Sequence, residues 1–426
     1  MIGITPAAPL RGRVSVPGSK YIANRVLPLA ALAGGRSRLS NLPDNDDIRL
    51  AVSGLRALGV TIEGNLPVLD ITGLEALGGV GNLHLQAGSS GTLARFITAI
   101  AALFTRPVTI DGSEQLRRRP MAPLLSALAQ LQVDVSSRDG HLPVTVTGPL
   151  TGGACQLDAG LSSQFASALA IASTRAARPV TVRLTGTPVS ISYLHMTVAL
   201  IGEFGGNARL VDKDTGPEMV IEPGNSPVGC DYRIPADPVS ASYFMAAALI
   251  TGGAVTIPDL ELAGSQQENR FYRLLEAMGA QVAVGDSEME ISATPAGLRA
   301  IDVDMGDMPD VVPTLAVLAC FAKGTTHIRN IAQLAYKESD RIRDLAGELR
   351  KLGARVERDH ESLTITGGEL TGACVDSHDD HRLAMSLALV GLRVPGVILR
   401  NEQTVAKSFP GFWRQLESLN VQLERR

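Results

Sequence analysis

GSKYIANRVLPLAAL (18–32) decides the fold, because the chain repeats its pattern six times. A small or polar entry is followed at once by an apolar, alanine-rich run of helical length. The other copies are GSSGTLARFITAIAAL (88–103), LSSQFASALAIAS (161–173), DPVSASYFMAAAL (237–249), MPDVVPTLAVLACF (308–321) and DDHRLAMSLALV (379–390), spaced by about 70 residues. A fixed period of this kind means equivalent units that bury their apolar faces against one another. Each copy also places Ser, Thr, Lys, Arg or Asp at a helix N-terminus, where unsatisfied N–H groups and the helix dipole favour an anion.

Unit one shows the rest of the pattern. After the helix, Gly34-Gly35 reads as a stop. SRLSNL (37–42) reads as a strand, and DNDDIRLAVSGLRALGV (44–60) as a second helix with Ile48, Val52, Leu55 and Leu58 on one face. Gly59 ends that helix, and the chain returns as the strand VTIEG (60–64). The later second helices close alike: ALAQLQVDV (127–135), IGEFGGNARL (201–210), LLEAMGAQVAV (274–284), ELRKLGARVE (348–357) and QLESLNVQL (415–423), most with Gly or Asn at the turn. The chain is therefore α/β, six βαβαββ repeats. The Gly/Pro-rich segment 224–238 divides them three and three. The expected domains are 19–234, and 1–18 plus 235–426, with the early strand GRVSV (12–16) completing the second group and two strands crossing between them.

Composition narrows the function. Hydrophobic residues make up 45% of 426, enough for large cores, but Gly, Arg or Lys interrupts every apolar run well before membrane-spanning length. Net charge is −4 and aromatic content 4%, which argue against nucleic-acid binding. Cys155, Cys230, Cys320 and Cys374 are far apart and form no CxxC. The start, MIGITPAAPLRGRV (1–14), lacks the basic and apolar regions of a secretory leader. A cytoplasmic monomer is expected.

The charged residues collect at the repeated helix starts. Lys20 and Arg25 mark the first, Ser89 to Thr92 and Arg95 the second, Ser162, Ser163 and Gln164 the third, Asp310 the fifth, and His378, Asp380, His381 and Arg382 the sixth. Other loops add Arg117, Arg118, Arg119, Ser190, the stretch Lys337–Arg341, and Lys407. Taken singly, most are ordinary N-caps worth ~0.5–2 kcal/mol, or solvated loop charges. HDDH (378–381) lacks a third ligand for a metal site. Taken together, equivalent helix ends with this many cations suit substrates bearing several anionic groups. Asp310 and Glu338 are the carboxylates best placed to move protons: the cations favour an ionised Asp310 as base, and Glu338 suits an acid. There is no GxxxxGK[ST] cradle for a nucleotide.

These residues also carry a resemblance. VPGSKYIANR (16–25), GSSGTLAR (88–95), RRRP (117–120), LSSQF (161–165), DPVSASYF (237–244), MPD (308–310), FAKGTTHIRNI (321–331), YKESDR (336–341), DDHRLAM (379–385) and VAKSFPGF (405–412) together resemble the EPSP synthases of the enolpyruvyl transferase family over essentially the whole chain. The resemblance implies a two-domain inside-out α/β barrel. It implies a transferase that moves the enolpyruvyl group of phosphoenolpyruvate to the 5-hydroxyl of shikimate 3-phosphate, through a tetrahedral intermediate that loses phosphate, with no metal or organic cofactor. It assigns Asp310 to the attacking hydroxyl's proton, Glu338 to the methylene carbon, and Lys20 to a place near both substrates. Arg119, Arg341, Arg382, Lys407 and the Gly91 loop would hold phosphoenolpyruvate. Ser162, Ser163, Gln164, Ser190, Arg25, Lys337 and Gln333 would hold shikimate 3-phosphate. Domain closure over the two anions is expected.

Three positions depart from the family pattern: Tyr21 and Ser89 replace the usual Ser and Asn, and Gln333 an Asn. The usual Ser helps hold the shikimate carboxylate, and the Tyr21 hydroxyl cannot sit at the same point. The departures concentrate around the second substrate, and Tyr21 opens a second reading, a specialised-pathway paralogue taking an altered shikimate-like acid. The UDP-N-acetylglucosamine enolpyruvyl transferases carry a Cys ahead of the arginine matched by Arg119, and this chain has none before Cys155. A non-catalytic binder of the same fold is disfavoured because Lys20, Asp310, Glu338, Arg341, Arg382 and Lys407 are all present.

Overall fold

The computed structural model describes residues 1–425 except 78–80, 188, 215, 224–226 and 286. The chain forms two compact units, Ser19–Ile234 and Met1–Gly18 with Pro235–Arg426. Of the segment 224–238 read as a crossing, residues 224–226 lie outside the described residues.

Among the described residues the strands form six four-stranded sheets, one per repeat. The third repeat shows the pattern. Gly153–Asp158 runs parallel to Val180–Thr185, with the helix Gln164–Ser173 between them in sequence. After the second helix, Ser192–Glu203, the strands Asn207–Val211 and Glu218–Glu222 return as an antiparallel pair, the latter beside Val180–Thr185. Three sheets borrow a strand from a distant part of the chain. Asp231–Arg233 is the parallel neighbour of Arg36–Ser40 in the first repeat. Arg11–Arg13 is that of Ala254–Pro258 in the fourth. Ile2–Ile4 sits between Val397–Arg400 and Leu423–Arg425 in the sixth. The early strand is thus Arg11–Arg13 rather than 12–16, with an additional strand ahead of it.

The alanine-rich first helices lie inside each unit. All 14 residues of Pro238–Thr251 are buried. Within its unit, Val312–Phe321 packs against both Pro238–Thr251 and His381–Ala388. Small side chains allow that approach and leave hydroxyls facing each other: Ser242 Oγ lies 3.2 Å from Thr314 Oγ1, which lies 3.4 Å from Ser386 Oγ. In the other unit Lys20–Leu32, Gly91–Ala101 and Gln164–Ser173 pack together in the same way. Each fully buried Leu or Phe here contributes about 1.5–3 kcal/mol. The strands keep an outer, solvated face; Arg36–Ser40 and Thr325–Arg329 alternate exposed and buried. Helices are inside and sheets outside, the reverse of an ordinary α/β barrel.

The second helices all turn back through a residue with positive φ: Gly59 (105°), Gln132 (65°), Gly205 (76°), Gly279 (105°), Gly353 (85°) and Asn420 (64°). Five are Gly or Asn, which tolerate this region. The expected stop at Gly34-Gly35 is different: the first helix ends at Leu32 with Ala33 extended. Among the described residues no helix is long and apolar enough to cross a membrane.

Candidate active site

In the unit containing Pro235–Arg426, one guanidinium organises the site residues. Arg341 is the first residue of the helix Arg341–Lys351, whose N-cap Asp340 accepts from Arg343 N. Its side chain is 1% exposed and touches three carboxylates. Nη1 donates to Asp310 Oδ1 at 2.6 Å and Nη2 to Glu338 Oε2 at 2.8 Å. Nε donates to Asp380 Oδ2 at 2.7 Å, with Nη2 3.2 Å from Oδ1. Burial opposes the charge on Arg341, but Asp380, Glu338 and Asp310 outweigh it and raise its pKa above the usual arginine value. The carboxylates arrive from separate elements. Asp310 lies in the 3-10 turn Pro309–Val311, Glu338 ahead of the Arg341 helix, and Asp380 at the N-cap of His381–Ala388.

Further cations face the same carboxylates. Lys407 Nζ is 2.8 Å from Glu338 Oε1. Lys337 Nζ and Arg382 Nε lie 3.6 and 3.5 Å from Asp310 Oδ1. Arg382 also donates from Nη1 to the Tyr243 hydroxyl at 3.1 Å. Tyr243 is buried, and burial pushes its hydroxyl up to about 12, so it stays neutral and accepts. Four cations, Lys337, Arg341, Arg382 and Lys407, thus gather around the carboxylates Asp310, Glu338 and Asp380. Gln333, in the 3-10 turn Ala332–Tyr336, donates to Gly306 O at 3.2 Å.

In Ser19–Ile234, Lys20 opens the first helix after the N-cap Ser19, and its Nζ lies 3.1 Å from Asp47 Oδ2. Arg25 is 2% exposed. It donates to Thr197 Oγ1 (2.8 Å), Tyr21 O (2.9 Å), Ser167 Oγ (3.3 Å) and Tyr193 O (3.4 Å). The Tyr21 ring packs against Tyr193 with centroids 5.2 Å apart. Arg95 lies 4.5 Å from the centroid of the Phe165 ring and donates to Ser162 Oγ (3.2 Å) and Gln164 Oε1 (2.5 Å), fixing the start of Gln164–Ser173. Ser163 is the N-cap residue there but makes no capping bond with its side chain. Ser190, just before Ser192–Glu203, has φ 54°, an uncommon conformation for serine.

The three consecutive arginines separate in role. Arg117 pairs with Asp111 (2.5 Å) and Arg118 with Glu114 (2.5 Å), both at the surface. Arg119 instead lies against Gly91 at the start of Gly91–Ala101. The structure therefore gathers Asp310, Glu338, Lys337, Arg341, Arg382 and Lys407 in one unit. In the other it gives Arg119 with Gly91 as one pair, and links Ser162 and Gln164 through Arg95. The sequence assigns no role to Tyr243, Asp47 or Tyr193, and reads Asp380 only as one of the charged residues at the sixth helix start. Asp380 and Asp47 resemble plain helix-start acids. The signal for Tyr243 was a lone phenol in a wholly buried helix, which needs a partner for its hydroxyl. Asp380 in the HDDH stretch is committed to Arg341, and among the described residues no group of three or more His, Cys, Asp or Glu is arranged to hold a metal.

Comparisons with known proteins cover the whole chain. The family model for EPSP synthase (3-phosphoshikimate 1-carboxyvinyltransferase) matches residues 4–416. A 3-phosphoshikimate 1-carboxyvinyltransferase of Methanoculleus marisnigri is 38% identical over 421 residues, 98% of each chain. One from Escherichia coli is 36% identical over 427 residues, again 98% of each. A solved EPSP synthase of Acinetobacter baumannii has the same fold, with a TM-score of 0.82 at 24% identity, covering 100% of this chain and 99% of that one.

Proposed function

The chain belongs to the EPSP synthase family, and from that membership we propose the following activity. The protein transfers the enolpyruvyl group of phosphoenolpyruvate to the 5-hydroxyl of shikimate 3-phosphate and releases phosphate, in the shikimate pathway. The observation that carries this for the chain's own residues is Arg341 bound to Asp310, Glu338 and Asp380 at once, with Arg382 and Lys407 alongside.

The chemistry needs one base, one acid and a cradle for two phosphorylated acids. Asp310 accepts the proton of the 5-hydroxyl as that oxygen bonds to C2 of phosphoenolpyruvate. Glu338 delivers a proton to C3, making a methyl group and a tetrahedral carbon that bears oxygen, carboxylate and phosphate. The methyl then gives a proton back as the C–O bond to phosphate breaks, so the enol ether forms and phosphate leaves. Arg341, Arg382 and Lys407 neutralise the phosphoenolpyruvate charge. Glu338 is held by Arg341 and Lys407 at 2.8 Å each. An incoming phosphate competes for those cations and lowers the cost of protonating Glu338. Lys337 and Gln333 are assigned to shikimate 3-phosphate. Within Ser19–Ile234, Arg119 over Gly91 is assigned to phosphoenolpyruvate. Ser162, Ser163, Gln164 and Ser190 are assigned to shikimate 3-phosphate. Lys20, beside Asp47, is assigned to the reacting groups. Arg25 acts on shikimate 3-phosphate mainly by fixing Tyr21 and Tyr193, given its protein partners. We place the protein in the cytoplasm, in keeping with four cysteines that form no disulfide.

The test is phosphate release with both substrates. Turnover near the ~10 per second typical of enzymes supports the assignment; no release with either substrate omitted is the control. Binding of both substrates without release would point to a non-catalytic binder. Release with shikimate analogues but not shikimate 3-phosphate would point to the specialised-pathway paralogue that Tyr21 suggests. The names of the relatives favour the shikimate reaction.

A further inference from the structure

The turn that delivers Asp380 is held in an unusual conformation, and the group holding it lies outside the assigned site. His378 and Asp379 both have positive φ, 51° and 55°, a region that non-glycine residues rarely adopt. Two successive residues of this kind persist only where their surroundings fix them. Part of the fixing is local: His378 N donates to Asp376 Oδ1 at 2.8 Å, and Asn401 Nδ2 donates to the same oxygen at 3.1 Å. The rest comes from Glu348, a carboxylate 3% exposed. Its Oε1 lies 2.7 Å from His378 Nε2, and its Oε2 accepts from Asp376 N at 3.0 Å. Lys351 Nζ pairs with both oxygens at 2.7 and 2.8 Å, from a side chain that is half exposed.

Glu348 stands seven residues after Arg341 on the same helix, two turns along and on the same face. One helix therefore grips the turn at two points: Arg341 holds Asp380 and Glu348 holds His378 and Asp376. Asp380 also caps the next helix by accepting from Arg382 N at 2.9 Å. Asp380 thus holds the Arg341 guanidinium directly and the backbone from which Arg382 extends. We propose that Glu348, acting through His378, is a positioning residue for Arg341 and Arg382, and so for phosphoenolpyruvate. It makes no contact with substrate itself. The proposal rests on the assignment of Arg341 and Arg382 to phosphoenolpyruvate.

Steady-state kinetics on the full chain test it, with Glu348→Gln, His378→Ala, His378→Gln and, as a control on the assignment, Arg382→Ala. Glu348→Gln and His378→Ala are expected to raise KM for phosphoenolpyruvate about tenfold, with KM for shikimate 3-phosphate and kcat within about threefold. His378→Gln keeps a nitrogen donor near the Nε2 position and is expected to restore most of the affinity. A merely structural pair would instead lower the melting temperature and the active fraction, leaving both KM values alone. If Glu348→Gln does not fold, the half-exposed His378 position decides by itself. An unchanged KM for phosphoenolpyruvate in His378→Ala, or no rescue by His378→Gln, overturns the proposal while Arg382→Ala still raises that KM. If Arg382→Ala leaves it unchanged, the assignment fails and the proposal falls with it.

Discussion

The guanidinium of Arg119 occupies the space that a β-carbon on Gly91 would need: such an atom would lie 2.6 Å from Nη1 and 2.8 Å from Cζ. Gly91 opens the helix Gly91–Ala101, and the absence of a side chain there lets the arginine lie on the helix start. Helix N–H groups and a guanidinium side by side are the arrangement that the proposed binding of phosphoenolpyruvate uses.

Gly91→Ala is therefore expected to act on ligand affinity. Its methyl displaces the mobile end of Arg119 rather than backbone, so stability changes little. Loss of one charge-assisted contact is worth about 1.5–3 kcal/mol, a rise in KM for phosphoenolpyruvate of roughly 10- to 150-fold. Thermal melting and initial rates measured side by side check this; a large drop in melting temperature would show that Arg119 cannot move aside.

Arg341 makes the opposite prediction. Its guanidinium is buried among three carboxylates, so Arg341→Met leaves Asp310, Glu338 and Asp380 close together without their shared counter-ion. Breaking a buried pair on one side costs about 3–5 kcal/mol, and here the loss of activity should accompany a loss of stability. Arg341→Lys keeps the charge but replaces a planar fork, whose three nitrogens each reach a different carboxylate, with a compact ammonium at one point. It should recover part of the stability and little activity. Urea unfolding with parallel assays separates the two readouts.

How far these features were legible in the sequence depends on distance along the chain. The helix starts and second-helix endings are local patterns, so the six repeats were readable. Asp310 and Arg382 stood out as charged residues at repeated helix starts, whereas Glu338, Arg341 and Lys407 stood out through charged loops and the family resemblance. The borrowed strands did not. Ile2–Ile4, Arg11–Arg13 and Asp231–Arg233 are three-residue elements whose partners lie roughly 190 to 420 residues away, and so short a strand carries almost no periodicity. The split among three arginines was equally hidden. Arg117 and Arg118 meet acids within six residues, whereas Arg119 meets a glycine 28 residues earlier. Nor does a sequence distinguish Asp380 as a cap from Asp380 as the anchor of a buried arginine.

Buried acids of higher pKa give the protein an alkaline limit. Burial pushes the thiols of Cys155 and Cys320 up to about 12 from 9.0, and the Tyr243 hydroxyl to about 12 from 10.0. In each case the folded state holds the proton more tightly than the unfolded chain. The stability linked to these groups is thus fully present below about pH 9 and is lost as pH rises toward 12. Melting temperature should fall across that window, and Cys320→Ala or Tyr243→Phe should flatten the fall. A thiol reagent at neutral pH should label exposed Cys374 readily, and Cys155 and Cys320 only after denaturation.

Tyr21 is tied to Arg25 through its backbone and to Tyr193 through its ring. Its ring packs against Tyr193, and the two backbone carbonyls of this pair both accept from Arg25. The Tyr193 ring also lies 5.5 Å from the Arg25 guanidinium carbon. Tyr21 is thus part of the frame that fixes Arg25, and a serine there would remove an aromatic contact worth about 0.5–1.5 kcal/mol. Tyr21→Ser should accordingly raise KM for shikimate 3-phosphate by about 2- to 10-fold and leave that for phosphoenolpyruvate unchanged. A gain in kcat/KM for shikimate 3-phosphate would mean the reverse, that the phenol keeps this substrate out and a differently shaped acid is preferred. Assaying the variant against shikimate 3-phosphate and analogues altered at the ring carboxylate distinguishes a supporting phenol from an excluding one.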